Sequence, residues 1–143
     1  MQIILPSKLL RLALLADAAA SGALAVLQLA MPDVLSRLLM LPRGLLLETG
    51  AFLVGYALLL LVMARSARLW SALVGFIVLG NVGWAAACAA LLGTGLVQPG
   101  ALGLAFVAMQ ALAVLVFACV EYLGLRQSAP AASRGVQGWQ SGS

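Results

Sequence analysis

The stretch "LLRLALLADAAASGALAVLQL", residues 9–29, decides the fold. It is long and apolar enough to cross the hydrocarbon core of a bilayer, for which about 20 mainly apolar residues suffice. Yet it carries an aspartate at position 17. A carboxyl at the centre of a membrane helix costs about 2.5–3.5 kcal/mol on insertion scales. The same residues therefore predict a membrane span and a protein partner for Asp17.

The rest of the 143-residue chain repeats this character: 64% of it is hydrophobic, 8% is charged and the mean hydropathy is +1.14. Soluble domains carry about 25% charged residues. Four apolar runs stand out, at 12–31, 44–64, 69–92 and 101–125. Within lipid every backbone N–H and C=O must be satisfied internally, which makes such runs helices. The alternating short segments of a β-barrel are absent from the sequence. The predicted fold is all-α, an antiparallel bundle of four transmembrane helices over residues 1–126, followed by a disordered cytoplasmic tail at 127–143 that is too poor in apolar residues to fold. Lys8 and Arg11 ahead of an apolar run also resemble a cleaved signal, but Asp17 interrupts the short apolar region a signal needs.

Four spans put Lys8, Arg11, Arg65, Arg68, Arg126 and Arg134 on one side and only Arg37 and Arg43 on the other. Lys and Arg accumulate on short cytoplasmic loops, so both termini are expected in the cytoplasm. The net charge of +4 then reflects orientation and contact with anionic headgroups. No basic cluster suited to a phosphate backbone is present, and nucleic acid is not an expected partner. Between the first two spans, "MPDVLSRLLMLPRG" (31–44) reads as a short helix capped by Asp33. Its leucines either lie on the outer interface or form a plain apolar connector.

Histidine is absent from the sequence. That removes His-ligated haem, most zinc sites and Ser-His or Cys-His nucleophilic schemes. No metal or cofactor is expected. Cys88 and Cys119 lie in no C-x-x-C pattern and fall at different depths, so both are expected as unpaired core thiols.

The polar side chains inside the spans form a pattern. Asp17, Ser21 and Gln28 share one face of the first helix at spacings of four and eleven, and Gln110 and Glu121 repeat the eleven-residue spacing on the fourth. At 1.5 Å per residue, Ser21, Tyr56, Asn81 and Gln110 each fall ~13–17 Å below the outer boundary. Asp17, Glu121 and Glu48 are the candidates for coupling to protons or cations, and Ser21, Gln28, Tyr56, Asn81 and Gln110 are the candidate polar core. A structural reading stands beside the functional one. It makes Asn81 and Gln110 interhelical glue, pairs Asp17 with Arg11 or Arg126, sets Glu121 near the interface beside Arg126, and leaves Glu48 to the N-terminal dipole of the second helix. Trp84 is too deep for an aromatic belt, and its indole N–H is expected to seek Glu48 or Gln28. Intramembrane aromatics are few, so an aromatic-lined cation site is not expected.

"LLADAAASGALA" (14–25), "GNVGWAAACAALLGTG" (80–95) and "ALGLAFVAMQALAVLVFACVEYLGLR" (101–126) resemble a group of small, uncharacterised four-span integral membrane proteins of bacteria. The resemblance implies a bacterial inner-membrane location and no particular activity. The expected function is a non-enzymatic binding, accessory or assembly component. Its alternative is a small proton-coupled carrier of a small or lipophilic solute. Enzyme activity would be restricted to carboxyl or tyrosine chemistry. The expected partners are the lipid bilayer and a second copy of the chain or another membrane protein.

Overall fold

A computed structural model describes residues 2–131. In chain order the elements are β1 (Ile3–Leu5), α1 (Lys8–Ala30), α2 (Pro32–Leu39), α3 (Arg43–Arg65), β2 (Leu69–Trp70), α4 (Ser71–Gly93), α5 (Ala101–Arg126) and β3 (Ala129–Pro130). Four of the helices, α1, α3, α4 and α5, are long and apolar enough to cross a membrane. At 1.5 Å per residue, 23 residues reach ~35 Å, slightly more than a hydrocarbon core about 30 Å thick.

Helix ends follow local chemistry. Ser7 caps α1, its hydroxyl accepting from the Leu10 N–H at 3.1 Å. Pro32 begins α2 at a position where its missing N–H is not needed. Asp33 therefore sits inside the first turn instead of capping it, and its carboxylate accepts from Arg43 Nε at 2.7 Å on the exposed surface. Met40 ends α2 in the left-handed region at φ 55°. Leu35, Leu39 and Leu41 turn inward, while Val34 and Leu38 stay exposed. The connector is thus a short amphipathic helix docked on the ends of α3 and α5. Gly103 makes this docking feasible, because a Cβ there would overlap the Leu39 carbonyl oxygen.

The long helices pack most closely as α1 on α3, α4 on α5 and α1 on α5. Side by side they run α3, α1, α5, α4, and the seam between α3 and α4 has little close backbone contact. At the α1–α5 crossing, a Cβ on Gly124 would lie 2.7 Å from the Leu10 backbone. Two apolar clusters form the core. One contains Leu10, Leu14, Leu60, Met63, Val74 and Ile77, and the other is built on Leu39, Leu46, Cys88 and Val107.

A small sheet closes one end. β1 lies in the middle, antiparallel to β2 (Ile3 opposite Trp70, Ile4 opposite Leu69) and to β3 (Ile4 opposite Pro130, Leu5 opposite Ala129). The start of the chain, the α3–α4 turn and the segment after α5 therefore share one end of the molecule. Ser7 and Ser128 reinforce the junction: both hydroxyls donate to the Gly124 carbonyl, at 2.7 and 2.8 Å, and the Ser7 N–H donates to Ser128 Oγ at 3.0 Å. Residues 127–131, expected as tail, are thus partly held in structure. The remainder of the expected tail, with Arg134 and Trp139, lies outside the described residues.

Candidate functional site

Five polar side chains meet between the two apolar clusters, and they come from all four long helices. Asp17 and Ser21 stand one turn apart on α1, and Ser21 Oγ donates to Asp17 Oδ1 at 3.0 Å. From α3 the Tyr56 hydroxyl lies 3.1 Å from Asp17 Oδ2 and 2.9 Å from Asn81 Oδ1. From α4, Asn81 Nδ2 donates to Asp17 Oδ2 at 3.0 Å and to Glu121 Oε2, on α5, at 3.1 Å. Asp17, Asn81 and Glu121 are 1%, 2% and 0% exposed, so protein groups must satisfy them.

With both carboxyls ionised, the donor inventory falls short. Ser21 and Tyr56 supply one hydroxyl hydrogen each and Asn81 supplies two amide hydrogens. Against these stand two carboxyl groups and the Asn81 carbonyl. The single Tyr56 hydrogen faces two acceptors, and Glu121 Oε1 is buried with no hydrogen-bond partner. Among the described residues no Lys or Arg completes the network. Arg11 instead donates to the Ala64 carbonyl at 3.4 Å, and the Arg126 guanidinium lies 6.0 Å from the Tyr122 ring centroid. Pairing of Asp17 with either arginine is not observed. Glu121 is fully buried and accepts from Asn81, so it is not paired with Arg126.

A cavity of about 170 Å³ opens beside this network. Asp17, Ser21, Tyr56 and Asn81 form its polar wall, and Phe52, Phe76, Trp84 and Phe117 its aromatic one. Phe52 lies between Tyr56 and Trp84, its centroid 6.2 and 5.6 Å from theirs at interplanar angles of 12° and 11°. This three-ring stack spans the α3–α4 seam. Trp84 therefore meets an aromatic face, and the expected bond to Glu48 or Gln28 is not formed. The intramembrane aromatics are few but concentrated, contrary to the expectation that no aromatic-lined site exists. The sequence did hold a signal for it. Phe52 and Tyr56, and Phe76, Gly80 and Trp84, recur every four residues on the faces that carry Tyr56 and Asn81.

The other candidates lie elsewhere. Gln110 lines the cavity without a hydrogen bond of its own. Gln28 forms a separate pair with Thr49, whose hydroxyl donates to Gln28 Oε1 at 2.8 Å; sequence reading missed Thr49. A Cβ on Gly50 would stand 3.1 Å from Gln28 Cβ, so the helices are close at this pair. A smaller cavity of about 60 Å³ beside Gln28 and Thr49 shares Trp84 and Gln110 with the larger one. Glu48 is exposed and joins neither group. Cys88 is buried and Cys119 exposed, both unpaired, so only Cys88 is a core thiol. No cluster of metal-ligating side chains occurs among the described residues.

No protein-family model matches the sequence, and no curated protein or solved structure matches it either.

Proposed function

We propose that this chain is an antiparallel four-helix bundle of the bacterial inner membrane, with both termini cytoplasmic, and that it binds a small lipophilic solute without chemically changing it. The observation that carries this reading is a polar wall built by α1, α3 and α4, backed by Glu121 of α5 through Asn81, that faces aromatic rings across one cavity. A network serving only as glue would hold the helices together without an adjoining space. Binding sites for small molecules are mostly apolar hollows with a few convergent polar groups. The charge asymmetry of the loops supports the orientation, and the resemblance to small bacterial four-span proteins supports the location.

The test is fluorine NMR of the protein in lipid nanodiscs, with para-fluorobenzyl alcohol and para-fluorobenzylamine as probes. At least one should bind saturably, and binding should disappear when Leu24→Trp fills the cavity. Failure of both probes to saturate, or undiminished binding by the filled variant, overturns the reading.

A second reading, a proton-coupled carrier, is favoured by the two buried carboxyls with no basic partner. In that case Asp17→Asn abolishes solute-driven proton flux in proteoliposomes while folding survives. Unchanged flux removes Asp17 from the coupling.

A further inference from the structure

We infer that the solute is an organic ammonium ion with an aromatic or alkyl body, seated with its charged head on Asp17 and its body among the aromatic rings, and that it enters sideways from the lipid between α3 and α4. This deepens the binding reading above and rests on it.

Three features select the ammonium. The polar wall is rich in acceptors, since the Asp17 carboxyl and the Asn81 carbonyl share the hydrogens of Ser21, Tyr56 and Asn81 with the Glu121 carboxyl behind them. Glu121 Oε1, fully buried one residue behind that wall, receives no hydrogen at all. An incoming group that donates several hydrogens and carries positive charge suits the acceptors at Asp17, and the Glu121 carboxyl behind Asn81 favours its charge; an ammonium has both properties. The opposite wall offers ring faces, the surfaces that attract cations. A ketone would bring only an acceptor, and an alcohol brings a single hydrogen and no charge.

Size and access select the rest. An apolar cavity of about 150 Å³ accepts one benzene ring, so about 170 Å³ suits a single-ring amine. The cavity is not sealed from the lipid face. α3 and α4 approach sparsely, Phe52 and Phe76 at the seam are 58% and 66% exposed, and a Cβ on Gly80 would meet nothing within 4 Å. Toward the end that carries β1, Leu60, Met63, Val74 and Ile77 pack against Leu10, Leu14 and Ile4 and close the interior. Toward the other end Leu39, Leu41, Leu46, Cys88 and Val107 pack together, which leaves the lateral direction.

The experiment compares matched amines and alcohols with the full chain in nanodiscs. Para-fluorobenzylamine should bind about tenfold or more tightly than para-fluorobenzyl alcohol, an advantage of about 1.4 kcal/mol. Asp17→Asn should erase the preference, and Glu121→Gln should reduce it. Equal binding of amine and alcohol by the wild-type protein overturns the ammonium assignment while leaving the cavity reading intact; absence of binding by both overturns the cavity reading itself. For lateral entry, an amine and an alcohol each bearing a hexyl tail on the ring are compared, so that partitioning into lipid cancels. Because a closed cavity of this size rejects the tail, retention of the amine preference supports the seam. Loss of saturable binding by the tailed amine shows the seam to be shut.

Discussion

Asn81 makes three of the hydrogen bonds in the buried network, while Gln110, at similar depth, makes none. The two amides look equivalent in the sequence, and both were candidates for interhelical glue. Depth and helix face were readable because they follow from periodicity, but which amide finds partners depends on how the helices turn toward one another. Asn81→Leu should leave Asp17, Tyr56 and Glu121 short of partners and cost about 1–3 kcal/mol, read as a lower unfolding temperature in detergent. Gln110→Leu should stay within about 0.5 kcal/mol of wild type in the same assay. Equal losses would contradict the network. Gly124 is a different kind of single-residue constraint. Its added Cβ would press on the Leu10 backbone at 2.7 Å, with little freedom to yield, so Gly124→Ala should destabilise by about 1–3 kcal/mol. Glu121 was misplaced because nearness to Arg126 in sequence suggested a surface pair. In the fold the arginine extends over Tyr122 while the carboxyl turns inward.

At the level of elements, the long helices were legible because an apolar run of bilayer length has one stable backbone solution. Their observed starts differ from expectation mainly at α1, which begins at Lys8 because Ser7 provides a cap. The three strands were not legible. Two of them have only two residues, and a strand of that length exists by virtue of its neighbours, not of its own pattern. Ile4 is the residue through which the sheet is tied to the core, being 4% exposed and packed with the Leu10 and Leu69 cluster. Ile4→Asp should therefore raise amide exchange at Leu69 and Trp70 and at Ala129, while exchange in the middle of α1, α4 and α5 stays slow. Unchanged exchange at the strand positions would mean that the sheet does not depend on that anchor. The short helix α2 is legible too; of its leucines, Leu35 and Leu39 dock on protein and Leu38 stays exposed.

On the scale of the whole molecule, the sequence carried the number of spans and a polar interior, and it did not carry the order of packing. α3 and α4 are consecutive, yet their backbones make little close contact and they meet through side chains, Tyr56 with Asn81 and Phe52 with Trp84, while α1 packs on α3 and α5 on α4. The cavity is a product of that order. Its residues are spread from Asp17 to Phe117 and only tertiary packing assembles them. Orientation is separately testable: alkaline phosphatase, active only outside the cytoplasm, should be silent when fused after Arg126, and activity would reverse the proposed threading.

The clasp formed by β1, β2 and β3 has a consequence for how the protein is made. Its central strand precedes the four long helices in the chain and one of its two partners follows them. For most of translation, then, the opening residues have nothing to pair with along one edge. The β1–β3 joint therefore forms only once α5 has been made, and a chain halted before β3 leaves one edge of β1 unpaired.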